Sequence, residues 1–124
     1  MTGSELQPGG HSSPVRIVIA DDHGLVRQGF QGMLAREEGF EVVGEAEDGR
    51  EAVELCSRLR PDLVLMDVRM PRMDGLGATR EIKQRHPGTS VLMVTMQENP
   101  DYLLEAVKAG AAGYILKGSP TPRS

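Results

Sequence analysis

The chain has 124 residues with ordinary apolar and charged fractions, 39% and 26%, which predict one compact domain around one hydrophobic core. Its formal charge of -4 argues against a surface built to neutralise nucleic-acid phosphates, so any DNA contact is expected to belong to a segment absent here. Cys56 is the single cysteine, which excludes an intrachain disulfide and a cysteine-based zinc site; with no apolar run of membrane-span length and no signal-peptide pattern, the expectation is a soluble cytoplasmic protein that makes no membrane contact.

Residues 1–14 are rich in Gly, Ser, Pro and Gln and bury too little apolar surface to offset their ordering entropy, so they are predicted to form a flexible leader. From Val15 onward short apolar runs alternate with segments of helical period, the texture of repeated β-α units around a parallel sheet. Strands are expected at 15–20, 41–46, 63–66, 91–94 and 114–116. The first, third and fourth are apolar without alternation, as strands covered on both faces must be, whereas 41–46 is mixed and suits an edge.

Between the strands, Val26, Phe30, Met33 and Leu34 recur at the spacing of one apolar helix face. Asp48 with Glu51 resembles a capping box that opens a second helix, with Ala52, Val53, Cys56 and Leu59 inward and Pro61 preventing continuation. A third helix starts near Asp74 and ends before Pro87, with Leu76 and Ile82 as its apolar stripe. A fourth has Asn99 as N-cap, Pro100 at the first helical position, Leu103, Ala106 and Val107 inward, and Gly110 as its stop. After the last strand the pattern offers no further helix to cover its side of the sheet, so residues 119–124 are read as a linker or truncated tail, and apolar surface beside the first helix is expected to be exposed or covered by another chain.

Four strands are followed by reactive side chains: Asp21 and Asp22 after the first, Asp67 after the third, Thr95 after the fourth and Lys117 after the fifth. In an open parallel sheet, ligands bind beyond the carboxyl ends of the strands where strand order reverses, so these residues are expected to converge. Three carboxylates in one crevice repel one another unless a cation lies among them, and oxygen donors suit a hard dication such as Mg2+. A carboxylate can attack phosphorus to form an aspartyl phosphate, with a metal and a cationic side chain neutralising the transferring oxygens. Lys117 is that cation, and Thr95 supplies a hydroxyl donor.

The stretches Ala-Asp-Asp-His at 20–23, Met-Asp-Val-Arg-Met-Pro-Arg-Met-Asp-Gly at 66–75, Val94-Thr95 and Tyr-Ile-Leu-Lys at 114–117 resemble, in order and spacing, the receiver domains of two-component response regulators. The likeness covers residues 15–117, and with Leu-Val-Arg-Gln-Gly at 25–29 it is similar to the subgroup whose full-length members carry a LuxR-type (NarL/FixJ) helix-turn-helix. The resemblance implies a flavodoxin-like α/β fold with a parallel five-stranded sheet in the order 2-1-3-4-5, over a receiver domain at 15–118, with the family's last helix missing from this chain. It implies that Asp67 is the phosphoacceptor, and that Asp22, Asp67 and the backbone carbonyl of Arg69 hold Mg2+ or Mn2+ while Asp21 acts mainly through bound water. Thr95 and Lys117 would contact the phosphoryl oxygens, and Tyr114 matches the aromatic switch position. Implied partners are a sensor histidine kinase, a second copy in a homodimer, and DNA through a C-terminal helix-turn-helix domain absent here. Gly118 follows the lysine where many receivers have proline, a departure that leaves the chemistry intact.

Two other functions are weighed against this phosphoacceptor role. An aspartyl-phosphate phosphatase of the haloacid-dehalogenase type wants a second acid two residues after the nucleophile, where this chain has Arg69. A receiver-like module that acts without phosphate is disfavoured by the complete residue set. Among the histidines, His23 is read as a helix-entry residue in preference to a metal ligand, His86 as favouring a helix C-terminal dipole, and His11 carries no inference. Gly75-Leu-Gly77 lacks the third glycine of a dinucleotide fingerprint. Met70 and Met73 are expected to shape the loop after Asp67, and Gln97 to influence the access of water to the phosphorylated aspartate.

Overall fold

The five apolar runs pair in one parallel sheet whose strands are β1 (Val15–Ala20), β2 (Phe40–Ala46), β3 (Leu63–Asp67), β4 (Ser90–Thr95) and β5 (Gly113–Leu116), in the order β2-β1-β3-β4-β5. The computed structural model describes residues 13–95 and 108–116, the side chains of 95 and 114–116 excepted. β2 carries glutamates and only partly buried valines and lies at an edge, whereas β1 and β3 in the middle are almost wholly buried. The expected strands are thus recovered, with β2 and β5 starting one residue earlier, β4 longer by one residue at each end so that it includes Thr95, and β3 extended by one residue so that Asp67 itself ends the strand, opposite Val94 of β4.

Side chains of a strand alternate between the two faces of a sheet, and here each face carries its own core. Val18, Ala20, Val64, Met66, Val91 and Met93 point one way and join Ala52, Val53, Leu55 and Cys56 from α2 (Gly49–Leu59) and Ala78 and Ile82 from α3 (Gly75–Arg85). Ile17, Ile19, Leu65 and Val94 point the other way, toward Phe30 and Leu34 of α1 (Gly24–Ala35). Leu55 adds a buried residue to the expected inward set of α2.

α1 departs from its expected stripe. Phe30 and Leu34 do pack on the sheet, but Met33 is 53% exposed and no residue of this helix is fully buried; Leu25, which is not part of the stripe, is 83% exposed. Met33 has the spacing of the stripe yet is not among the residues packed on either core, so correct spacing did not bring it inward. Residues 1–12, the core of the expected fourth helix with Asn99, Pro100, Leu103, Ala106 and Val107, and Gln97, Lys117 and Gly118 all lie outside the described residues. Lys108 and Ala109 are helical and are followed by Gly110 at a φ of +102°, the left-handed geometry expected of a helix stop.

The helix ends explain themselves locally. The Oδ1 of Asp48 accepts from the backbone N–H of Glu51 at 2.8 Å, and the Oε1 of Glu51 accepts from the N–H of Glu47 at 2.8 Å, a capping box displaced by one residue at its return bond. α2 stops where Arg60 turns left-handed and donates its N–H to the carbonyl of Cys56 at 3.0 Å, with Pro61 following. Asp74 caps α3 by accepting from the N–H of Gly77 at 2.8 Å. His86 closes that helix through its own backbone N–H, donated to the carbonyl of Ile82, while its Nε2 lies 3.2 Å from the hydroxyl of Ser57 on α2. The histidine therefore joins two helices as well as ending one.

Two groups on this side yield measurable expectations. Burial pushes the Cys56 thiol up to about 11, so the native protein should resist thiol-reactive reagents at neutral pH and react on unfolding; fast native labelling would contradict the packing of α2. The N–H of Glu51, opposed by burial and assisted by the Arg72 guanidinium, holds the Asp48 carboxyl below its ordinary value of 3.8. Its contribution is therefore full above that value and is lost as pH falls through the lower folded one. Asp48→Ala should cost about 1–2 kcal/mol at neutral pH by urea unfolding. The gap to the unsubstituted protein should narrow below about pH 4.

Candidate functional site

Strand order reverses between β1 and β3, because the chain leaves β1 for β2 on one side and returns to β3 on the other. The crevice beyond that point is where the helix-bearing connections diverge and leave room for a ligand. Asp21 and Asp22 follow β1, and Asp67 ends its neighbour β3. Asp21 is 2% exposed and Asp67 6%, so two carboxylates are buried side by side while Asp22 lies nearer solvent. With His23 they form a group whose donor atoms all lie within 4.8 Å of one another.

The acids are held by their surroundings. Asp21 Oδ1 accepts from the N–H of His23 at 2.9 Å, which folds the aspartate back over the start of α1. Arg27, one turn into that helix, donates from Nη1 to the carbonyl of Asp21 at 2.6 Å and from Nε to Glu45 of β2 at 2.9 Å. One arginine thus ties the acid loop to the neighbouring strand. On the other side, a Cβ placed on Gly75 would come within 1.9 Å of the carbonyl oxygen of Asp67, so the first turn of α3 presses against the backbone of the central aspartate. The N–H of Gly75 donates to the carbonyl of Val68 at 2.8 Å, which closes the loop between them.

That loop is clamped at a second point. Arg72 adopts a left-handed φ of 67° and donates from Nε to Asp48 Oδ2 at 2.8 Å. A Cβ on Gly49 would meet the carbonyl oxygen of Met73 at 2.0 Å, so the start of α2 also fits against this loop. Met70 is buried and Met73 half-buried against the main core, in keeping with the expectation that both shape the loop.

The other expected site residues lie along the same edge of the sheet or outside the described residues. Thr95 ends β4, one residue beyond the partner of Asp67, and its backbone pairs with Leu116. Tyr114 lies in β5 opposite Met93. Arg69 occupies an exposed position two residues beyond Asp67, and Lys117 lies outside the described residues. Sequence reasoning passed over Arg27, Gly75 and Arg72 as supports of the site. The Asp-Gly pair at 74–75 was the available signal for a tight approach, but no local pattern announces the contacts of Arg27 or Arg72.

A cluster of carboxylate oxygens is the donor chemistry of a hard dication. Ligands on opposite sides of an octahedral Mg2+ lie about 4.2 Å apart, so donor atoms gathered within 4.8 Å need little movement to share one. Asp21, Asp22 and Asp67 fit such an ion.

The family described as response regulator receiver domain matches residues 17–123. The transcriptional regulatory protein DegU of Brevibacillus brevis is 44% identical over 107 residues, 86% of this chain and 45% of that protein. The oxygen regulatory protein NreC of Staphylococcus epidermidis is 46% identical over 107 residues, 86% of this chain and 49% of that protein. The chain spans about half the length of these curated relatives. Among solved structures, the signal receiver domain of the response regulator NarL from Mycobacterium tuberculosis superposes with a TM-score of 0.84 at 38% identity, covering 88% of each chain. The isolated receiver domain of RcsB from Salmonella enterica, with a phosphomimetic BeF3-, gives 0.80 at 30% identity over 87% of this chain and 80% of that one. On the flavodoxin-like sheet, the acid cluster at its switch point and these matches, the chain belongs to the response regulator receiver family of two-component systems, in its NarL/FixJ-type branch.

Proposed function

We propose that Asp67 is the phosphoacceptor of this receiver domain. The carrying observation is the placement of its carboxylate at the end of the central strand, buried, with Asp21 and Asp22 beside it. In the reaction, an Asp67 oxygen forms a bond to the phosphorus of a donor as the bond from phosphorus to the donor breaks, and the electron pair leaves with the donor group. The donor is the phosphohistidine of a sensor kinase, whose imidazole takes a proton as it departs, or a small acyl phosphate. Mg2+ or Mn2+, when bound, supplies charge neutralisation for the phosphoryl oxygens.

The residues of the chain divide the remaining work. Asp22, Asp67 and the carbonyl of Arg69 would hold the ion, and Asp21 would act mainly through bound water. Thr95 and Lys117 contact the phosphoryl oxygens, and Tyr114 follows the movement of Thr95 as the switch that alters the surface toward β5. The family resemblance supports these roles, and the register that sets Thr95 one residue beyond the partner of Asp67 agrees with it. Residues 15–118 form the receiver, 1–14 a leader and 119–124 a linker or tail. The chain is a signalling domain that assists its own phosphorylation and dephosphorylation, and it works in the cytoplasm as a monomer or homodimer. Its output is DNA binding and transcription regulation by a C-terminal helix-turn-helix domain of a longer protein, a reading supported by regulators such as DegU, of which this chain covers 45%. Among the described residues no helix is long and apolar enough to cross a membrane.

Intact mass after incubation with acetyl phosphate tests the assignment. One phosphoryl adduct is expected, dependent on Mg2+ and absent in Asp67→Asn. A folded protein that takes no adduct would leave the module phosphate-independent, and rapid donor consumption without a lasting adduct would favour a phosphatase.

A further inference from the structure

The turn at residues 71–73 is built against the preference of the residue at its centre. Arg72 has a left-handed φ of 67°, and the backbone N–H of Met73 donates across it to the carbonyl of Pro71 at 2.7 Å. A three-residue turn with a positive central φ is the strained form of the γ-turn, which glycine enters freely and an L side chain does not. Such strain persists only where the surroundings hold it, and it gathers at working sites. Here the holding contact comes from another element. Arg72 Nε donates to Asp48 Oδ2 at 2.8 Å, while Asp48 Oδ1 accepts from the N–H of Glu51 in the first turn of α2. The Asp48 side chain is 10% exposed, so both of its oxygens are committed inside the protein.

This turn lies in the loop that leaves Asp67 for α3. The N–H of Gly75 on the carbonyl of Val68 closes the loop at its base, and the carbonyl of Met73, next to the turn, abuts Gly49 at the start of α2. The Arg72 side chain is 63% exposed, and an ion pair so open to water adds little to the stability of a fold, so stability alone does not account for a strained arginine at this position. We propose that Arg72 and Asp48 are positioning residues for phosphoryl transfer to Asp67: their ion pair holds the strained turn, and the turn holds the loop that follows the acceptor. Both act through that loop and touch none of the reacting atoms. The inference rests on the reading of Asp67 as phosphoacceptor. It makes α2, which supplies no side chain to the acid crevice, a support of the reaction.

The test is the rate of phosphoryl adduct formation from acetyl phosphate in Mg2+, followed by intact mass of the whole chain, beside the urea midpoint of each variant. Arg72→Gly removes the pair and relaxes the turn, so the rate should fall about three- to tenfold while the midpoint stays within about 0.3 M. Asp48→Asn keeps a cap oxygen for the N–H of Glu51 but loses the pair, and it should slow the reaction to a similar extent. The sign of that second effect is diagnostic, because removing a negative charge would speed the approach of an anionic donor if charge alone mattered. The double variant should be no slower than the slower single variant. Arg58→Ala, which removes an exposed arginine from the last turn of α2, should keep the unsubstituted rate. An unchanged rate in either single variant, a faster Asp48→Asn, independent losses in the double variant, an equal loss in Arg58→Ala, or a midpoint in Arg72→Gly that falls in step with its rate would overturn the positioning role. An unsubstituted protein that takes no adduct, or an adduct that persists in Asp67→Asn, would instead overturn the phosphoacceptor reading.

Discussion

Like charges do not gather in a buried crevice unless something compels them, and in this chain the compulsion comes from strand geometry. Asp21 follows directly on β1 and Asp67 is the last residue of β3, strands that are buried on both faces, so their backbones are fixed by the sheet before their side chains meet. The parallel register of β1 with β3, in which Ala20 stands opposite Met66, then sets the two acids beside each other. Their mutual repulsion costs stability, and the cost falls on the sheet and loops that hold them. An incoming cation or a transferred group acts on charge already in position, which is the advantage of a preorganised site.

The loops share that burden through backbone contact more than through side chains. Gly75 lets α3 start directly against the carbonyl of Asp67, and Gly49 lets α2 start against that of Met73. Arg72 and Asp48 then pin the loop between these contacts. Any side chain at either glycine would have to displace backbone, so both helices start in close contact with the chain around this loop. On the β1 side the restraint is lighter: α1 has no fully buried residue and is tied to the crevice by the bonds of Arg27. The two walls of the site thus differ in how they are held, with the Asp67 strand on the side of close backbone contacts.

Much of this was legible beforehand. Strands that are covered on both faces announce themselves as unbroken apolar runs, and caps such as Asp48 and Asp74 act within four residues, so both survive a reading of the chain alone. Order and spacing of Asp21, Asp22 and Asp67 sufficed to place the acids together, because the sheet converts sequence position into position along one edge. Met33 was misjudged since periodicity identifies a helix face but not how wide a surface awaits it. Arg27 and Arg72 were not legible, because a long side chain reaches partners 18 and 24 residues away that no local pattern names.

His23 is the opposite case, since its Nδ1 meets Asp21 and Asp22, the two residues just before it in the chain. The contrast with Asp48 is instructive in physical terms. That buried carboxylate has its charge answered by the chain itself, through the N–H of Glu51 and the guanidinium of Arg72, and its pKa is lowered accordingly. It is a structural acid. The acids of the crevice are set apart by their gathering: three carboxylates and an imidazole with donor atoms within 4.8 Å of one another at the switch point of the sheet. Burial alone does not separate the two kinds of acid; convergence on the switch point does.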